Sequence, residues 1–215
     1  MTAERTVVHL LRHGEVHNPE GILYGRLPGY HLSEVGRKMA DRAGEYFATR
    51  DVAAVIASPM ERAQETAAPV AAAHQLPVLT DERIIESTSV FEGRAFGPDA
   101  AALRHPRAWR HLRNPFRPSW GEAYAVVAIR MHAAAGAARD QVRGREAVLV
   151  SHQLPIWIAR LAAEHRRLWH DPRRRECSLA SVTSLTYEGN QVVSVDYAEP
   201  AADLLPIANT EERGA

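Results

Sequence analysis

Residues 51–62 read Asp51-Val-Ala-Ala-Val-Ile-Ala57-Ser58-Pro59-Met60-Glu61-Arg62. The run from Asp51 to Ala57 is short, apolar and partly β-branched, the pattern of a strand buried on both faces. It passes straight into Ser58-Pro59-Met60-Glu61, where Ser and Glu at capping-box spacing enclose a Pro suited to the first helical position. The helix is predicted to run to about His74. A strand entering a helix without an intervening loop is half of a βα unit, so the rest of the chain is read for its repetitions.

They are present on both sides. Thr6 to Leu11 (TVVHLL) is a second buried run, closed by a loop with Gly14, and Ser33 can cap a helix over about Glu34 to Ala48, flanked by Leu32 and Val35. Leu76 to Leu79 gives a third short strand. A long Ala-rich helix over roughly 121–142 precedes a fourth strand, Ala147 to Val150. This alternation predicts an α/β fold, a three-layer α/β/α sandwich around a mostly parallel central sheet. Ser181 to Tyr187 and Gln191 to Tyr197, around Glu188-Gly189-Asn190, predict a hairpin-like closing edge. Between residues 97 and 120 the chain is Pro-punctuated and basic, with Arg104, Arg107, Arg110, Arg113 and Arg117, which predicts a cap insertion over the sheet. The expected organisation is one domain over residues 1–200 and a loosely ordered tail over 201–215.

Composition excludes several functions. The chain has 215 residues, 46% hydrophobic and 24% charged, values that disfavour disorder and coiled coil. Lys plus Arg is 26 and Asp plus Glu is 26, so no global field favours nucleic acid or an anionic membrane. A single thiol, Cys177, rules out a disulfide framework and a Cys-rich zinc module, which suits a reducing, cytoplasmic setting. No apolar run approaches the roughly 20 residues of a membrane helix. The expectation is a soluble protein.

Three polar clusters share one topological address. Arg12-His13-Gly14 follows the first strand, Ser58 to Arg62 the second and Ser151-His152 the fourth. In an open parallel sheet, ligands bind outside the carboxyl ends of the strands, so groups distant in sequence can converge there. Arg supplies a planar fork matched to phosphate oxygens, and the helix following the second strand adds free N–H groups. Gly14 is expected to let the backbone approach the ligand closely. One imidazole held neutral among fixed cations would be nucleophilic.

Leu11-Arg12-His13-Gly14-Glu15 resembles the signature of the histidine phosphatase superfamily, also called phosphoglycerate mutase-like. The resemblance extends through Leu32-Ser33-Glu34-Val35-Gly36, Ser58-Pro59-Met60-Glu61-Arg62-Ala63 with Thr66, Glu92-Gly93, and Val148-Leu149-Val150-Ser151-His152. It implies that His13 is the phosphorylated nucleophile, that Arg12, Arg62 and His152 form a phosphate pocket, and that Glu86 is the general acid. Asn18 resembles the family's phosphate-binding Asn, one residue closer to the nucleophile, and Gln153 stands where a small residue often follows the second His. Bulky insertions typical of glycolytic mutases are absent. The implied activity is a metal-independent phosphomonoester hydrolase acting on a small phosphorylated metabolite through a phosphohistidine. A cofactor-dependent phosphoglycerate mutase, and an inert phospholigand-binding or scaffolding domain, remain the alternatives.

Substrate selection is assigned to the cap and to the loop at Tyr24, Gly25 and Arg26. His9, His13 and His17 share a four-residue spacing, yet Val7-Val8 favours strand and Pro19 opposes a helix, so no metal site is expected. The run from Arg166 to Arg175 reads as solvated surface. No cofactor, nucleic acid or membrane partner is expected, and the expected partners are the small phosphorylated substrate and, at most, a homodimer's second copy.

Overall fold

β1 (Arg5–Arg12) pairs with β4 (Glu146–Ser151) in parallel on one side and with β5 (Val182–Glu188) in antiparallel on the other, so it lies inside the sheet. In the computed structural model, which describes residues 4–94 and 121–208, six strands follow the order β3-β2-β4-β1-β5-β6. β2 (Val52–Ala57), β3 (Val78–Thr80) and β4 run parallel to β1, and β6 (Gln191–Ala198) closes the edge against β5. The mostly parallel α/β sheet with a closing hairpin is therefore the architecture of the chain. The hairpin turns through Gly189, whose φ of +59 suits a residue without a Cβ.

Alternate residues of the central strands serve opposite faces, as the pleat requires. Val8, Leu10, Ile56 and Leu149 pack with Val127, Met131, Ile156 and Ile158 of α3 (Tyr124–Gln141) and α4 (Gln153–Ala163). Leu11, Val55, Val148 and Val150 pack with Ala43 and Phe47 of α1 (Glu34–Phe47) and with Ala63, Ala67 and Val70 of α2 (Glu61–Ala73). Both faces are covered, which accounts for near-continuous apolar strands.

Register then places the site. β4 lies between β1 and β2, Arg12 pairs with Ser151, and Ala57 pairs with Val150. The three strands end level, and the chain leaves them at His13, Ser58 and His152.

Local rules hold at α1 and fail at α2. Ser33 caps α1 as expected, its hydroxyl accepting from the Gly36 N–H. α2 starts at Glu61 with Met60 as a cap that offers no side chain, so the predicted capping box does not form. Both members are claimed by tertiary partners: Ser58 Oγ lies 2.8 Å from His152 Nε2, and Glu61 Oε1 accepts the Gly29 N–H at 3.0 Å. Residues 201–208 also depart from expectation. They form a short 3-10 turn at Ala202–Leu204, and Ala201 and Ala208 are buried with Met39 and Leu179 rather than lying loose. The predicted cap over 97–120, including its five arginines, and residues 209–215 lie outside the described residues.

Gly14 answers to a close backbone approach within the chain. A Cβ on Gly14 would stand 2.5 Å from Gly36 O, and one on Gly36 would stand 2.0 Å from Glu15 O. The two glycines let the loop after β1 meet the first turn of α1 backbone to backbone. Gly36→Ala is therefore expected to destabilise by at least ~1–3 kcal/mol, the scale of overpacking. Gly136→Ala in α3, where a Cβ meets nothing within 4 Å, should stabilise by ~0.5–1 kcal/mol from helix propensity. Urea unfolding midpoints of the two variants check both signs.

Candidate active site

His13 is fully buried at the end of β1. Its Nδ1 lies 2.8 Å from Gly14 O, a carbonyl that can only accept, so Nδ1 carries the proton and Nε2 the lone pair. That Nε2 has no hydrogen-bond partner among the described residues. The loop is fixed from α2: Gly14 N–H donates to Thr66 Oγ1 at 3.1 Å, and Thr66 Oγ1 donates to Arg62 O at 2.7 Å. Thr66 thus couples the His13 loop to the turn that carries Arg62.

Arg62 is 0% exposed. Its Nη2 donates to Gly25 O at 2.6 Å, and its guanidinium lies over the Tyr24 ring, 4.6 Å from the centroid. Arg12 reaches in from β1, its Nη1 donating to Cys177 O at 2.8 Å. His152 is the N-cap residue of α4, and its ring centroid is 5.2 Å from that of His13. Its Nε2 meets Ser58 Oγ, while Nδ1 has no hydrogen-bond partner among the described residues.

Glu86 completes the cluster. Its Oε1 accepts the Ser87 N–H at 2.7 Å, and its buried Oε2 has no hydrogen-bond partner among the described residues. The segment is anchored three ways: Ser151 Oγ donates to Ile84 O at 2.7 Å, Arg26 Nε to Glu86 O at 2.6 Å, and Arg130 Nη1 to Arg83 O at 2.6 Å. Arg26 and Arg130 both bind the carboxylate of Glu122.

The electrostatics follow from burial. Burial, then the charges of Arg62 and Arg12, hold the His13 imidazole well below the ordinary histidine range. His152 is depressed likewise, first by burial and then by Arg62, His13 and Arg12. Burial pushes the Glu86 carboxyl up, against the Ser87 N–H and Arg62. Neutral imidazoles and a carboxyl inclined to keep its proton, set among guanidiniums, form a site for an anion with oxygen ligands. It can present a nitrogen lone pair on one side and a proton on the other.

Arg12, His13, Arg62, Glu86 and His152 thus come together as one electrostatically coupled group. Most of the remaining sequence candidates surround that group and support it. Tyr24, expected to face substrate, is fully buried beneath Arg62, and Gly25 supports the same guanidinium through its carbonyl. Arg26 braces Glu86 and Glu122. Asn18 donates to Ile22 O and accepts from Ile22 N, closing its own loop. Gln153 follows His152, and its Oε1 accepts from Arg175 Nη1 at 3.1 Å. Arg175, read as surface, is turned inward instead; nothing in the run of basic residues distinguishes it from Arg173 and Arg174. His9 bonds Ser184 and Glu146, and among the described residues no three potential metal ligands gather. Among those residues no helix is long and apolar enough to cross a membrane.

The chain is similar to known proteins along most of its length. The family model described as histidine phosphatase superfamily (branch 1) matches residues 8–200. "Uncharacterized protein Rv0525" of Mycobacterium tuberculosis strain H37Rv is 59% identical over 199 residues, 93% of this chain and 98% of that protein. "Probable phosphoglycerate mutase GpmB" of Yersinia pestis is 29% identical over 187 residues, covering 81% of this chain and 83% of that one. The solved mycobacterial glucosyl-3-phosphoglycerate phosphatase Rv2419c superposes with a TM-score of 0.72 at 26% identity, covering 90% of this chain and 96% of that one.

The depressed imidazoles make stability pH-dependent. Unfolded, His13 and His152 titrate near the ordinary value of about 6.5. Above it their contribution is fully present; as the pH falls below it, the unfolded chain takes up protons that the folded chain refuses, and the contribution is lost. The two imidazoles should therefore raise the unfolding temperature of the ligand-free protein from about pH 5 to about pH 7, against Glu86, whose raised pKa contributes stability that is lost as the pH rises. The temperature should rise less in His13→Asn and His152→Asn, and an identical rise in both variants would assign the effect to other groups.

Proposed function

Because the chain belongs to the histidine phosphatase superfamily, branch 1, we propose that it hydrolyses phosphomonoesters of a small metabolite through a phosphohistidine, without a metal. One observation carries the reading. His13 Nε2 and Glu86 Oε2 are buried, have no hydrogen-bond partner among the described residues, and belong to groups whose pKa values burial shifts in opposite directions, down for the imidazole and up for the carboxyl. A nucleophile must be unprotonated and a general acid protonated at the same pH.

In the first step the His13 Nε2 lone pair attacks phosphorus and the ester P–O bond breaks. The proton of Glu86 goes to the departing alkoxide, while Arg12, Arg62 and His152 hold the phosphoryl oxygens. In the second step Glu86, now a carboxylate, takes a proton from water. The water oxygen bonds to phosphorus, the P–N bond breaks, and phosphate leaves with Glu86 reprotonated. The guanidiniums supply the charge that a metal would otherwise bring. The mycobacterial relative of 26% identity is a phosphatase, which favours water as acceptor over the second sugar acid of a mutase.

A labelled phosphoester, mixed with the protein and quenched in base, should leave label on wild-type chain and none on His13→Ala, with inorganic phosphate as the product after chelation of metals. Label on the His13→Ala chain would overturn the nucleophile. Transfer of label to an added sugar acid instead of water would make the protein a mutase, and failure to turn over any ester would make it a binding domain.

Glu86→Gln keeps the shape and loses the proton. An alkoxide needs that proton to leave and a nitrophenolate does not, so single-turnover phosphorylation should slow on the order of 10²–10⁴-fold for an alkyl phosphate and far less for nitrophenyl phosphate. The variant should also lose the alkaline fall of the alkyl phosphate rate, which in the wild type follows deprotonation of Glu86 above the ordinary carboxyl range. Equal slowing of both esters would reduce Glu86 to a positioning residue.

A further inference from the structure

Arg175 precedes β5, two residues from Cys177, whose carbonyl holds Arg12. Its Nε donates to His170 Nε2 at 2.9 Å and its Nη1 to Gln153 Oε1 at 3.1 Å. His170 Nδ1 in turn donates to Leu168 O at 2.8 Å, which leaves its Nε2 as an acceptor. Burial keeps that imidazole below its ordinary pKa, so both partners of Arg175 are neutral. Neighbouring arginines differ. Arg173 pairs with Asp171, Arg166 with Glu164, and Arg160 with Glu164 and with Glu176, the residue beside Arg175. Arg175 makes no ion pair among the described residues, although a carboxylate is its chain neighbour.

A half-buried guanidinium whose hydrogen bonds both go to uncharged groups is unusual, because such groups are normally ion-paired. Two of its five N–H groups are used, and the other three lie on its two terminal nitrogens, the edge that takes a carboxylate bidentately. Its place is the margin of the phosphoryl site: Gln153 follows His152, and the charges of Arg175, Glu86 and Arg12 act on one another. Arg12 and Arg62 already match a phosphoryl dianion in charge. Arg26 and Arg130 are tied to Glu122, whereas Arg175 is a further cation with no carboxylate bound to it among the described residues, available to a second anionic group.

We propose that Arg175 is a specificity-determining residue that binds a carboxylate carried by the phosphomonoester substrate, beside the phosphoryl pocket. The proposal rests on the phosphatase reading above and names the substrate class for that site, a phosphorylated acid.

Phosphonates test it, because their P–C bond cannot be hydrolysed and binding is read without turnover. Calorimetry would compare phosphonoacetate with ethylphosphonate, and 3-phosphonopropionate with propylphosphonate, members of each pair differing in a carboxylate against a methyl group. The wild type is expected to bind the carboxylated member at least about 10-fold tighter in one pair or both, the scale of a charge-assisted hydrogen bond. Arg175→Met should erase that preference, and Arg175→Lys should keep part of it. Unfolding temperatures would confirm that both variants fold. If Arg175 only braces Gln153 and His170, Arg175→Met weakens both members of a pair alike, and the proposal fails. It also fails if the wild type binds phosphonates with no preference in either pair. Failure of the wild type to bind any of these phosphonates or inorganic phosphate would instead remove the phosphatase reading on which it rests.

Discussion

A fully buried guanidinium is the constraint on which the rest of the site depends. Arg62 has no access to solvent, and a charge in that position is tolerable only if its surroundings are built for it. The loop after β1 supplies that support from below, with the Tyr24 ring against the guanidinium and the Gly25 carbonyl accepting from it. The same charge then sets the chemistry above. It helps to lower the pKa of His13 and His152, and opposes the burial that raises the pKa of Glu86. Moving Arg62 would shift the pKa of three other residues at once.

The cost of collecting this charge is met by making hydrogen bonds serve two ends. Thr66 accepts from Gly14 N–H while donating to Arg62 O, so one hydroxyl joins the His13 loop to α2. Ser151 lies at the end of β4 beside His152, yet its hydroxyl is spent on Ile84 O, which fixes the approach to Glu86. Arg26 and Arg130 share Glu122 and hold backbone carbonyls on either side of Ile84 and Ile85. Glu86 is thus carried by a braced segment rather than a loose loop, which suits a group that must donate and recover a proton in one position.

The sheet and its two coverings were legible because they rest on local pattern. Six-residue apolar runs, a Ser at the start of α1 and a Gly at the hairpin turn act over a few neighbours, and their physics is the same in any protein. The alternation of strand and helix then fixes where strands end, and hence that Arg12-His13, Ser58 and Ser151-His152 open onto one edge. The capping box at Ser58 and Glu61 shows the limit of such reasoning. Its spacing is right, but His152 and Gly29 offer both side chains tertiary partners, and those bonds take precedence over the cap.

Sequence by itself therefore determined the α/β architecture and the strand ends at which Arg12, His13, Arg62 and His152 gather. The tertiary structure alone decided which polar atoms are left without partners and which are consumed. Tyr24 became a buried floor for Arg62, Asn18 closed its own loop, and Gly14 met Gly36 backbone to backbone. Arg175 left a run of surface arginines to stand between Gln153 and His170. The reason is physical: spacing along the chain fixes periodicity and chain direction, whereas burial, charge pairing and close backbone approach depend on residues dozens of positions away, brought together only when the sheet closes.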